Sequence, residues 1–371
     1  MSAKLLALKL TSQALHNRDF VPVLKHLCFA PDRVFAFNDH TAVVVDGVDY
    51  GLHCAVPGAV LLSVLNGCSE AWSLSTDKAE AVLKDKGMSV RFPTLEPDAF
   101  VFDPEQATPK KSFGRKFILE DTLVGALELL AVHSNTDGIR PSLTGVTMVA
   151  GGGAVFLYST DNITITKAEL KDGGGSKAKN VSCILPKDSC ELIAKTYRQL
   201  AGEGLSSASL EISRDQVLAE FSCTVDEVEL SVYVVAAAVK DEAVDYEKML
   251  SSHTKGVKWF DCPHTLFDAA RRTASLTSED PSKEMVLEST ASALSVAAAG
   301  ALGKLAMLIK VKGGAELKKP YIVDPEKLLR AQPWAQEIGV GANALLLRGQ
   351  LTGSAEVEGA RIEYAIACKE R

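Results

Sequence analysis

Carboxylates, imidazoles, thiols and glycine-rich loops are the parts from which proteins build catalytic and metal centres. This chain carries each kind, and none is arranged for a reaction. Asp161 sits in Ser159-Thr160-Asp161-Asn162, at the end of a strand-like run. It could act as a general acid, but a lone carboxylate there more often accepts turn hydrogen bonds from the backbone a few residues on. The runs Gly151 to Gly153 and Asp172 to Lys177 do not match the spacing of a phosphate-binding loop, and both fall where hairpins need turns. The histidines, His16, His26, His40, His53, His133, His253 and His264, show no metal-ligating spacing, and no serine stands in a nucleophile elbow. Cys28, Cys54, Cys68, Cys183, Cys190, Cys223, Cys262 and Cys368 are scattered without a C-x-x-C, which reads as core thiols in a reducing compartment. No catalytic residue, metal or cofactor is expected.

With 371 residues and 47% hydrophobic content, the chain can bury two or three cores. It has no apolar run long enough to cross a membrane and no recognisable secretion signal, so the expected location is the cytoplasm, without a membrane partner. A net charge of −7 argues against coating nucleic acid by bulk charge, yet allows a local basic surface.

The elements that must position any site form a weak threefold repeat. Its most specific stretch is Ile139 to Met148 with Leu157 to Leu170. The copies run 1–110, 111–253 and 254–371; Pro104 to Arg115 is a polar linker, and Ser251 to Gly256 marks the second joint. The second and third copies open on amphipathic helices, Leu119 to Val132 and Pro263 to Leu276, whereas the first has only the abbreviated Thr11 to Arg18. A second helix in each begins at a proline: Val56 to Gly67, Leu185 to Leu200 and Val323 to Trp334. Alternating strands with Gly or Asp turns follow, giving an α+β fold of two helices per copy packed on antiparallel sheets.

Basic residues recur on these helices. Lys187, Lys195 and Arg198 fall within about 80° of one another on a helical wheel, opposite Leu192, Ile193, Thr196 and Leu200. Lys327 and Arg330 lie one turn apart, and Arg271 and Arg272 share the outer side of the third copy's opening helix. Any one of them could be an ordinary solvated residue. Repetition on matched helices favours contacts to a phosphate backbone that carry no base preference.

The chain resembles the bacterial-type DNA sliding clamps, the beta subunits of replicative polymerases, as a divergent form of a kind a phage could encode. The resemblance rests on Arg140, Leu143 and Gly145, on Thr160 to Thr166 in place of the family's Thr-Asp-Gly-His-Arg-Leu-Ala, on Phe20 to Phe29 and Phe37 to Val44, and on the ending Glu363 to Arg371. It runs the whole chain in order. It implies three clamp domains per chain, two chains paired head to tail in a ring, helices lining the hole and sheets outside. The DNA-facing residues implied are Arg18, Lys187, Lys195, Arg198, Arg271, Arg272, Lys327 and Arg330. It also implies a partner-peptide pocket at Leu143, Thr160, Asn162, Ile163, Thr164, Ile165, Val244, Lys248, Met249, Ala365, Ala367 and Cys368. Here Asn-Ile-Thr replaces the family's Gly-His-Arg, and charged residues replace an apolar ending, so the pocket is expected to be remodelled. The partners implied are double-stranded DNA, a replicative DNA polymerase, an ATP-dependent clamp loader and a second copy of the chain. The activity would be mechanical, a processivity factor rather than an enzyme. The alternatives are a clamp-fold scaffold without DNA encirclement, or an enzyme with an active site between repeats.

Overall fold

Runs such as Thr41 to Asp46, apolar at nearly every position, demand a strand covered on both faces, whereas alternation as in Gly303 to Lys310 leaves one face to solvent. The computed structural model contains both kinds. It describes residues 2–16, 21–107, 112–136, 139–172, 180–242, 244–290, 293–311, 317, 319–341, 343–351 and 359–370. Seven α-helices occur among them: α1 Ala3–Thr11, α2 Gly58–Leu65, α3 Asp121–Val132, α4 Lys187–Ala201, α5 Tyr246–Thr254, α6 His264–Leu276 and α7 Pro325–Leu329. The first strands are β1 His26–Ala30, β2 Arg33–Phe37, β3 Thr41–Asp46, β4 Cys54–Pro57, β5 Ser73–Asp77, β6 Glu80–Asp85, β7 Met88–Pro93 and β8 Arg115–Ile118. Next come β9 Gly145–Gly151, β10 Ala154–Thr160, β11 Thr164–Lys171, β12 Val181–Pro186, β13 Leu205–Ile212, β14 Gln216–Val225 and β15 Val228–Ala237. The last are β16 Trp259–Asp261, β17 Met285–Thr290, β18 Ala293–Gly300, β19 Gly303–Lys310, β20 Tyr321–Val323, β21 Ala335–Val340, β22 Ala344–Leu351, β23 Ala360–Ala367 and β24 Lys369–Glu370. The α+β expectation, with antiparallel sheets, holds.

Contacts divide the chain into two units, Met1–Glu120 with Lys177–Lys240, and Asp121–Ser176 with Asp241–Arg371. In the first unit an antiparallel sheet runs β4-β1-β2-β3-β15-β14-β13-β8. Its central join pairs β3 with β15, Val45 opposite Val232 and Val43 opposite Val234. Helix α1 packs on β2 and β3, α2 on β1 and β4, and α4 on β13, β14 and β15. A second cluster, with Cys28, Phe35, Val44 and Val235 at its centre, is sealed by Phe100 and Phe102. That double cover explains the unbroken apolar run of β3. A separate three-stranded sheet runs β5-β6-β7.

The second unit repeats the order as β9-β10-β11-β23-β22-β21-β16, and β11 joins β23 with Ile165 opposite Ala365. Helix α3 packs on β9, β10, β11, β22 and β23. A further sheet runs β19-β18-β17-β20-β24, and α6 lies on β18 and β19 and against α7. Each long sheet is thus shared between strands of successive sequence copies, which is why the units cut across the repeat.

Several local expectations are corrected. The first copy opens on α1 at Ala3–Thr11, not at Thr11 to Arg18; leucines around most of the helix hide its amphipathic signal. The joint at Ser251 to Gly256 is helical as far as Thr254, where α5 ends. Helix α7 stops at Leu329 instead of reaching Trp334, four residues before Pro333, whose ring has no N–H to continue a helix. Pro57 and Pro186 stand one place before their helices, and Pro325 inside the first turn. Gly152 and Gly153, both left-handed at φ 64° and 87°, make the β9–β10 turn, as the loop reading requires. The run Asp172 to Lys177 lies, beyond Asp172, outside the described residues.

Candidate functional site

The strands β10 and β11 meet in a tight turn at Asp161, Asn162 and Ile163. Asn162 takes a left-handed backbone, φ 70°, which asparagine tolerates better than most residues. Asp161 holds this turn with one oxygen: Oδ1 accepts from Thr164 N at 2.8 Å, Thr164 Oγ1 at 2.8 Å and Ile163 N at 3.2 Å. Its other oxygen accepts from Lys327 Nζ and from Arg330 Nη1, the latter at 3.0 Å. Burial alone would raise the carboxyl pKa, but the bonds from Lys327 and Thr164 outweigh it and hold it at about 2. Asp161 is therefore an ionised turn cap and ion-pair centre, with no proton to donate near neutrality.

Behind the turn, His133 is fully buried, with Nδ1 2.5 Å from Thr166 Oγ1 and its ring stacked on Tyr364 at 5.0 Å. Burial, assisted by the charge of Arg330, lowers its pKa to about 4, so the imidazole is neutral. Tyr364 donates to the carbonyl of Lys327 at 3.0 Å. The short helix α7, the turn and β23 are tied together here.

The opposite side is aromatic. Tyr158 and Tyr246 stack in parallel with centroids 5.2 Å apart, in a cluster with Ile165, Leu250, Ala344, Leu346 and Ala365. Tyr158 donates to Glu247 at 2.5 Å, and Lys167 pairs with Glu247 at 2.6 Å while lying over the Phe156 ring. These contacts dock α5, whose buried stripe is only Tyr246 and Leu250, and whose start is capped by Asp245.

Strand pairing brings most of the expected pocket residues together. Ile165 faces Ala365, Ala367 N donates to Ile163 O at 2.8 Å, and Val244 packs beside Ile165. Leu143 stands in a separate turn, linked to the segment before Val244 by Ser142 N donating to Asp241 at 2.9 Å. Leu143, Thr160, Thr164, Ile165 and Ala365 are buried, so they shape this surface from beneath. Asn162, Ile163, Lys248, Met249 and Ala367 are exposed, Ile163 by 47% and Met249 by 41%. Cys368 is half-buried, and burial pushes its thiol up to about 12.

The basic residues are distributed differently from the sequence reading. On α4, Lys195 and Arg198 are exposed, and Lys187 lies 3.9 Å from Glu191. Asp188 and Glu191 share that outer face, so it is mixed rather than wholly basic. On α6, Arg271 and Arg272 are exposed, Arg271 bonding Asp268 at 2.9 Å and Gln332 at 3.1 Å. Lys327 and Arg330 turn to Asp161, their side chains only 16% and 28% exposed. Arg18 lies outside the described residues. Two cations were missed: Lys4 and Lys9 on α1, Lys4 exposed with its ammonium 5.6 Å from the Tyr50 ring centre. Their signal was the helix itself, which the sequence reading placed too late. The outer charges of α3 are the acids Asp121 and Glu128.

No protein-family model matches the sequence, and no curated protein matches it. Solved structures do match. The DNA polymerase sliding clamp of Bacillus subtilis superposes with a TM-score of 0.78 at 14% identity, covering 99% of this chain and 97% of that one. The DNA polymerase III beta subunit of Thermotoga maritima gives 0.78 at 16% identity over 99% and 98%, and that of Pseudomonas aeruginosa 0.76 at 14% over 100% and 98%. Over essentially its whole length, and at identities too low for sequence comparison to register, the chain has the fold of the DNA polymerase III beta-subunit sliding clamps.

Proposed function

We propose that the chain is a sliding clamp, a DNA polymerase processivity factor that acts as a head-to-tail homodimeric ring around duplex DNA. The observation that carries this reading is an unfinished sheet. In the first two sequence copies, the meander β1-β2-β3 continues into β15, and β9-β10-β11 into β23. The third meander, β17-β18-β19, stops: β19 pairs with β18 and with no further strand among the described residues. Strands β5-β6-β7 form the complementary fragment, with β7 in the place that β15 takes in its own meander. β19 of one copy against β7 of a second would complete the pattern, and a closed dimer would do so twice. Leu308 on β19, 69% exposed, and Met88 on β7, 38% exposed, suit a covered edge better than an open one.

The three clamp domains would be 1–110, 111–253 and 254–371. Lys187, Lys195, Arg198, Arg271, Arg272 and the part-exposed Arg330, with Arg18 and the added Lys4 and Lys9, would meet phosphates without reading bases, so the ring could slide. The overall charge of −7 would discourage adhesion elsewhere. Ile163, Met249 and Ala367, flanked by Asn162, Val244, Lys248 and Cys368, would receive an apolar peptide from the polymerase or another DNA-acting protein. Tethering raises the partner's local concentration at the DNA, so it rebinds before diffusing away. Opening the ring would fall to a separate ATP-driven loader. No bond is made or broken by the chain itself.

The test reverses Lys187, Lys195 and Arg198 together to Glu and measures DNA synthesis by the cognate polymerase on a primed circle. Loss of stimulation is expected, with retention of the dimer mass in light scattering. Undiminished stimulation overturns the assignment of α4 to the DNA.

A further inference from the structure

Asp161 is divided in its work. Oδ1 holds the turn that exposes Ile163, and Oδ2 holds two cations of α7. The Asp161 carboxylate faces both cations beside a neutral His133, and Asp324 caps the same helix at Lys327 N. Arg330, the more exposed of the two cations, is the one a solvent anion can reach. Around it, Tyr364 fixes the carbonyl of Lys327, and Ile163 O receives Ala367 N, so the turn, α7 and the last long strand share one set of bonds.

We propose that this carboxylate is a latch coupling phosphate contact at α7 to the mobility of the partner-docking turn. A DNA phosphate that engages Arg330 competes with Oδ2 for the guanidinium. Once that bond weakens, Asp161 loses part of its anchor on α7, and the Asp161–Thr164 turn opens more often. By reciprocity, a partner that clamps the turn keeps Arg330 on Asp161 and weakens the phosphate contact. The inference rests on the DNA and docking roles proposed above, and it adds that the two are antagonistic through one residue. Competition is confined to Arg330, whose side chain, 28% exposed, reaches solvent while it holds the carboxylate, and a phosphate offers it the same charge-assisted bond.

The experiment is hydrogen exchange of the full chain, read at the Ile163 and Thr164 amides, with and without a short blunt DNA duplex at low salt. Anisotropy of the labelled duplex reports binding on the same samples, and added salt at matched ionic strength is the screening control. Bound duplex should raise exchange at these amides roughly three- to ten-fold, the scale of one weakened charge-assisted bond on a local opening equilibrium. Salt alone should not. Arg330→Ala should show raised exchange without DNA and no further rise with it. Duplex that binds while the turn's exchange stays unchanged or falls overturns the latch and leaves the clamp reading intact. Failure of the duplex to bind at all overturns the DNA reading and the latch together. Unaltered exchange in Arg330→Ala without DNA overturns the latch independently of DNA binding.

Discussion

His133 and Asp161, both held well below their ordinary pKa values, contribute to how the molecule responds to acid. The imidazole sits at about 4 in the folded chain, below its ordinary 6.5, so between those values the unfolded chain takes up a proton that the folded chain refuses. Its stability contribution is therefore full above about pH 6.5, falls as pH drops toward 4, and amounts to up to about 3 kcal/mol. Asp161, held at about 2 against an ordinary 3.8, adds a second loss of the same sign at lower pH, from about 4 down to 2. Urea unfolding at pH 7 and pH 4.5 should show a marked drop for the native chain. The drop should be much smaller in His133→Gln, whose side chain does not titrate. The turn role of Asp161 was legible from its neighbours, because Thr164 lies three residues away. Its ion pairs were not, because Lys327 lies 166 residues on and local spacing carries no trace of that distance. Lys327 and Arg330 read as outward cations for the same reason.

At the scale of elements, the long helices and meanders were legible because each repeats one period over enough residues to stand out, as α4 does over 15. Helix α5 was not. Its apolar stripe is a single pair, Tyr246 and Leu250, and its docking depends on Tyr158 and Lys167 from other strands. The exposed side of the candidate docking surface was therefore only partly legible: resemblance placed Lys248 and Met249 in it, but nothing local showed the helix that carries them. Replacing Tyr246 with Ala should cost about 3 kcal/mol by emptying a buried aromatic site. It should also release α5, seen as faster hydrogen exchange across residues 246–254 and as lost polymerase stimulation. Tyr246→Phe should retain both properties.

For the whole molecule, the decisive pattern was invisible in the sequence, where all three copies present similar alternation. Only the strand order distinguishes two completed meanders from a third that, among the described residues, ends at β19. If two copies close on these edges, folding is linked to association, and thermal midpoints should rise with protein concentration. Leu308→Asp should abolish that dependence and return a monomer mass by light scattering, without disturbing α6 or the buried Ile309 beside it. A concentration-independent midpoint in the native chain would count against the dimer. The two edges are unlike: β19 ends the five-stranded sheet on which α6 lies, and β7 ends the three-stranded sheet β5-β6-β7. A union of unlike edges uses one of each and leaves one of each, so every unclosed assembly remains able to grow. Under the proposed pairing, two copies that close use up all four edges, and a variant unable to close would grow into open chains instead of a finite particle.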